Sequence, residues 1–165
     1  MNQIGRISQI RLISAAGAMG FLFASDALAQ REQQWDWSGV VPEGRMVYVR
    51  NMNGGVRVEA TSGSTVEVVA IKKASRRGNP ADVRITAEQR PGRGDVVICA
   101  IWYERTRCDE DGYRTRGGNA GRDWWDWFGA DDRGNVNLEF VVRLPRGVRV
   151  TASSVNGGIT IELID

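Results

Sequence analysis

Histidine is absent from the 165 residues, and that omission removes much of the catalytic repertoire. Ser-His-Asp and Cys-His nucleophile systems need an imidazole base, and the common transition-metal sites need imidazole ligands. Any enzyme built here would have to work with carboxylates, Tyr, Lys or Arg. An excess of charge of one sign is also missing: 22 Lys and Arg against 20 Asp and Glu leave a formal +2. Phosphate binding rests on summed basic contacts, so nucleic acid is not an expected partner. Cysteine is nearly absent, with Cys99 and Cys108 the only two. They lack the Cys-x-x-Cys spacing of a thiol–disulfide catalyst. Past the N-terminal region no long apolar run occurs, so no membrane-spanning segment is expected.

The N-terminus itself reads as an export signal. Arg6 and Arg11 supply a positive region, Leu12 to Ala24 an apolar one, and Ala27-Leu28-Ala29 a small-x-small cleavage site. Residues 1–29 are therefore expected to be removed, leaving Gln30 first. The apolar run is too short for a bilayer core, which takes about 20 residues. The product is expected in the periplasm or outside the cell. In such an oxidising compartment, Cys99 and Cys108 are expected to pair as a structural disulfide.

Residues 30–165 suit one domain, and their apolar pattern has period two nearly throughout. Val47 and Val49 share a face, as do Val56 and Val58. Val66, Val68 and Ala70 alternate with Glu67, Val69 and Ile71, and Val83, Ile85 and Ala87 with Arg84, Thr86 and Glu88. Val136, Leu138, Phe140, Val142 and Leu144 form another stripe. Asp95 to Tyr103 is apolar on both faces, which predicts a central buried strand. Ser62-Gly63, Pro91-Gly92 and Pro145-Arg146-Gly147 punctuate these runs as turns. The expected class is all-β.

One internal repeat organises the pattern. Pro42 to Glu59 aligns without gaps on Pro145 to Glu162, each residue 103 positions from its counterpart. Asn53-Gly54-Gly55 falls on Asn156-Gly157-Gly158, and Val56-x-Val58-Glu59 on Ile159-x-Ile161-Glu162. Each unit reads as strand, Asn-Gly-Gly turn, strand. Asn and Gly tolerate positive φ, so the turn either closes a hairpin or bends the chain into a further rung. The expected architecture is stacked strand–turn repeats, β-solenoid-like, with a β-sandwich as the alternative. The final strand from Ile159 is an expected exposed edge through which the chain can self-associate.

From Trp37-Ser38-Gly39 onward the sequence resembles a bacterial adhesin domain family of otherwise unknown function. The resemblance rests on the Asn51-x-Asn53-Gly54-Gly55-Val56-x-Val58 unit and the strand Val66-Glu67-Val68-Val69-Ala70-Ile71-Lys72-Lys73. It also rests on Val96 to Tyr103, and on Leu138 to Leu144 running into Pro145-Arg146-Gly147-Val148 and Val155-Asn156-Gly157-Gly158. It implies an extracytoplasmic β-repeat fold and supplies no catalytic residues. Members continue with further strand–Asn-Gly–strand units, whereas this chain stops at Asp165, which implies a short or truncated member.

Residues 104–134 break the pattern and read as a long irregular loop crowded with Arg, Asp and Gly. Loops beyond about 15 residues are commonly functional. Trp124, Trp125, Trp127 and Phe128 lie within it and form the candidate binding surface, either displayed for stacking on sugars or a protein, or folded back over the core. Asp126, Asp131 and Asp132 are weak calcium candidates, since the spacing matches no EF-hand and interleaved Arg114 and Arg116 can neutralise the acids instead. Trp35 and Trp37 are expected to pack on the core. No cofactor is expected. The functional expectation is an exported, non-enzymatic β-repeat module with a structural or adhesive binding role at the cell envelope, its partner an envelope component, a glycan or a protein. The alternative is a carbohydrate-binding protein, or less readily a carbohydrate-processing one, using the Trp-rich loop.

Overall fold

The computed structural model describes residues 31–115 and 135–162. Among these residues eleven strands form in chain order: β1 (Glu32–Gly39), β2 (Met46–Asn53), β3 (Val56–Thr61), β4 (Val66–Ala74), β5 (Arg84–Gln89) and β6 (Val96–Ile101), then β7 (Thr106–Asp109), β8 (Gly112–Thr115), β9 (Val136–Pro145), β10 (Arg149–Asn156) and β11 (Ile159–Glu162). A short 3-10 turn, Pro80–Asp82, precedes β5. Asn79 caps it, its side chain accepting from the Ala81 N–H at 3.0 Å.

Two sheets carry the fold. One has five strands in the order β1-β4-β9-β3-β11, the other four in the order β10-β2-β6-β5. They share one core, because the alternating stripes of both turn inward. Val47, Val49, Val96, Ile98 and Ala100 come from the four-stranded sheet. Val56, Val58, Val66, Val68, Ala70, Leu138, Phe140 and Val142 come from the five-stranded sheet. Burying each such side chain stabilises the fold by about 1.5–3 kcal/mol before entropy is counted, so the period-two pattern dictates which face closes. This is a sandwich of two open sheets.

The Asn-Gly-Gly turn does not close a hairpin. β2 and β3 lie in different sheets, so residues 53–55 form an arch that carries the chain across the core. The second unit does the same one step further out. β10 runs parallel to β2 with Arg149 opposite Met46, and β11 runs parallel to β3 with Ile159 opposite Val56. The sequence repeat is therefore a spatial register, each residue of the second unit lying beside its counterpart in the first.

The stretch read as irregular is partly ordered. β7 and β8 pair antiparallel with Asp109 opposite Gly112, leaving Glu110 and Asp111 as a two-residue turn. Gly112 follows that turn at φ 119°, a backbone conformation that glycine adopts without a Cβ penalty.

Candidate functional site

Two places in the fold gather polar or exposed groups: the stacked arches with the β10–β11 edge beside them, and the β7–β8 hairpin on the outer face of the four-stranded sheet.

The arches are held by side chains at equivalent positions of the two units. Asn51 is fully buried, and its Nδ2 donates to the Gly54 carbonyl at 3.0 Å and the Leu138 carbonyl at 2.8 Å. Ser154, the counterpart of Asn51, donates its hydroxyl to the same Gly54 carbonyl at 2.7 Å. The backbones then stack closely: the Gly54 N–H donates to Asn156 O at 2.8 Å and the Val56 N–H to Gly158 O at 3.0 Å. A Cβ on Gly54 would lie 2.2 Å from Leu138 O, and one on Gly157 only 2.0 Å from Gly54 O. Glycine is required there by the approach of successive layers, and at Gly54 also by φ 115°. The turns at the opposite end of each unit stack too, with Gly44 donating to Gly147 O at 2.8 Å.

Among the described residues nothing covers the outermost layer. Ile159 and Ile161 continue the inward stripe of Val56 and Val58, yet they are 44% and 55% exposed where their partners are 2% and 0%. Val155, on β10, is also exposed. β10 and β11 each end their sheet, so their outer N–H and C=O groups have no ladder partner among the described strands.

The hairpin covers a second, smaller apolar cluster in which Val97, Cys99 and Ile101 meet Tyr48 and Cys108. Cys99 and Cys108 are bonded at 1.98 Å and tie the hairpin to the sheet, as expected for an oxidising compartment. Tyr113 reinforces this link. Its hydroxyl lies 2.8 Å from the Arg50 carbonyl and 2.7 Å from the Ala100 carbonyl, one on each of the adjacent strands β2 and β6. Burial pushes the phenol pKa well above its ordinary value, with the Arg50 charge opposing. Arg50 is itself buried; its guanidinium donates to Ser153 Oγ at 3.2 Å and to the Glu110 carbonyl, and lies 5.6 Å from the Tyr48 ring.

The acids of this hairpin are held by arginines. Glu110 pairs with Arg90 at 3.1 Å and Arg93 at 3.8 Å; Arg114 pairs with Asp109 at 3.5 Å and with Asp111. Arg114 belongs to the hairpin itself, whereas Arg90 and Arg93 come from the β5–β6 turn. Among the described residues no group of three or more His, Cys, Asp or Glu is placed to hold a metal. The candidate surface Trp124, Trp125, Trp127 and Phe128 and the calcium candidates Asp126, Asp131 and Asp132 lie outside the described residues.

Trp35 and Trp37 are placed as expected, packed against the main core opposite Ala70 and Val68. No described helix is long and apolar enough to cross a membrane. Sequence reasoning missed Asn51, Arg50 and Tyr113. Asn51 had a signal, a polar residue two places before the Asn-Gly-Gly turn in a strand otherwise apolar inward. Arg50 and Tyr113 had none, because their partner is a hairpin that only the topology lays over them. The chain matches no family model, no curated protein and no solved structure.

Proposed function

We propose that this chain is an exported, non-enzymatic β-repeat module that acts by binding at the cell envelope, in a structural or adhesive role. The observation that carries the reading is the in-register stacking of unit 145–162 on unit 42–59, through both strands and both turns, which ends in a layer that nothing among the described residues covers. Such a stack reads as two solenoid-like rungs built into a sandwich. Stacked strand–turn proteins present extended surfaces and interact through them, and their end layers need covering. Further support comes from the chemistry. The whole chain has no histidine, and the described hairpin acids are committed to arginine pairs. The disulfide agrees with an oxidising compartment. The resemblance to an extracytoplasmic adhesin family points the same way.

The test is saturable binding of the purified protein to envelope fractions of the producing cell and to a glycan panel. A Trp124→Ala/Trp125→Ala/Trp127→Ala variant is run alongside. Saturable envelope binding without glycan turnover supports the reading. Turnover of a glycan overturns it, and saturable glycan binding lost in the triple variant replaces it with a carbohydrate-binding module.

A further inference from the structure

We infer that the β10–β11 end is a self-association surface, and that its occupant is the same end of a second copy of this chain. The inference rests on the proposed function of a non-catalytic interaction module and names the partner of its open layer.

Four observations point to a second copy. The first is that this edge carries an unfinished core stripe. Ile159 and Ile161 point where Val56 and Val58 point, and are 44% and 55% exposed only because no described strand lies beyond them. An inward-facing apolar pair at an open layer gains by meeting another apolar pair.

The second is that, although β11 is only four residues long, the side-chain protections of an edge are missing. Natural edges are guarded by lysine, proline, bulges or inward charges. Between Arg149 and Glu162 there is no lysine and no proline, and the only charges stand at the two ends. Glu162 is already occupied by Arg57 at 3.6 Å.

The third is charge balance. With one residue of each sign, the edge faces its own copy without net like-charge repulsion. An acidic or a basic partner would find no complement here.

The fourth is what a second copy has to offer. Its unit 42–59 is covered by its own β10 and β11 on one side and by β6 and β9 on the other. Its opposite end presents Glu32 and Asp36 on β1 and Arg84 and Glu88 on β5, with Trp35 and Trp37 packed inward. Among the described strands the unguarded apolar edge is therefore again β10–β11. Two like edges meet through a two-fold rotation, which sets the meeting strands antiparallel and closes the assembly at a dimer.

Sedimentation equilibrium of the purified protein over a concentration series tests this. The expected result is a monomer–dimer equilibrium. Ile159→Lys/Ile161→Lys is expected to weaken it by about a hundredfold or more, since two buried isoleucines are replaced by like charges. Val40→Lys, which replaces an exposed valine (66%) on the opposite side of the fold, is expected to leave it unchanged. Hydrogen exchange of the wild-type amides at residues 159–162 gives a reading that needs no variant: protection rises with protein concentration. A wild-type monomer throughout overturns the inference, as do growth beyond a dimer, a double variant that associates equally well, and amides protected equally at all concentrations. Envelope binding on the same preparations separates the two proposals. A monomer that binds envelope sinks this inference alone, and a dimer that binds nothing sinks the functional reading alone.

Discussion

At the β1 end of the sandwich the indoles of Trp35 and Trp37 pack against the core opposite Ala70 and Val68, and the buried ring of Pro80 adds to the packing. At the β10–β11 end the same inward stripe finishes in Ile159 and Ile161, both largely open to solvent. The two ends obey one alternation and differ in the strand that terminates it. Where bulky aromatics flanked by Gln33, Gln34 and Asp36 take the outer strand, the strand finishes a core. Where a copy of an interior unit takes it, the new outer layer has the side chains of an interior layer and none of an edge. Repetition extends a sheet and does not terminate it.

Substitutions along this axis sharpen the contrast. The largest effect is expected where layers touch. Gly54→Ala puts a Cβ 2.2 Å from Leu138 O at φ 115°, and should cost about 3 kcal/mol or more. Gly158→Ala, with nothing within 4 Å of its Cβ, should stay within about 0.5 kcal/mol. Urea unfolding of the two variants decides between a tight stack and a loose one. If both cost the same, the layers are not in contact.

Trp37→Ala at the finished end should cost about 2–4 kcal/mol, and Ile161→Ala at the open end of the monomer less than about 1 kcal/mol. Equal costs by thermal unfolding at low protein concentration would remove the distinction between the ends. Replacing Cys99 and Cys108 together by alanine should cost about 2–3 kcal/mol in the same assay. That value places the hairpin clamp between the two ends.

The smallest effects are electrostatic. Lys72 sits at an inward position, its Nζ 3.1 Å from Gln33 Oε1, and burial pulls its pKa below the usual lysine value. The folded state thus binds this proton less tightly than the unfolded chain does. The resulting destabilisation is full at neutral pH and fades as pH rises toward 10.5. Lys72→Met should therefore stabilise the fold at pH 7 and do so less at pH 10. Tyr113 has the opposite sign. Its raised pKa gives a stabilising contribution that is complete below the ordinary phenol value of 10.0 and is lost progressively as pH rises above it. Absorbance titration should show a tyrosine step that comes only after the ordinary phenol range, and Tyr113→Phe should abolish that late step.

Legibility in the sequence depends on which residues carry signal. The stripes of β2, β3, β4 and β9 are readable because their apolar residues recur at alternate positions, and each turns inward, whereas β6 is readable as a run apolar on both faces, buried between the main core and the hairpin. The 103-residue repeat specifies which residues of β10 and β11 correspond to those of β2 and β3, whereas the choice between hairpin and arch at its turn depends on the sheet arrangement. β1 is not readable as a strand, since Glu32-Gln33-Gln34-Trp35-Asp36-Trp37 offers only two apolar positions. The β7–β8 hairpin is hidden among charges. Its charged side chains, Arg107, Arg114 and Asp111, make a strand look like solvated loop, and only Gly112 betrays the turn beside it. Tyr113 and Arg50 become visible as a clamp only once the hairpin lies over the sheet.

The separation of the paired units also governs the order of assembly. β2 and β3 await partners that lie 103 residues later, and β9, the other neighbour of β3, is itself distant in sequence. A chain delivered from its N-terminus leaves the edges of β2 and β3 exposed until residues beyond Pro145 have emerged. Long-range parallel pairing of this kind is slow, because the loop between must close before any contact rewards it. The pairing of β2 and β3 is thus timed by β9, β10 and β11, and a nascent chain held short of them is the form most prone to join the wrong neighbour.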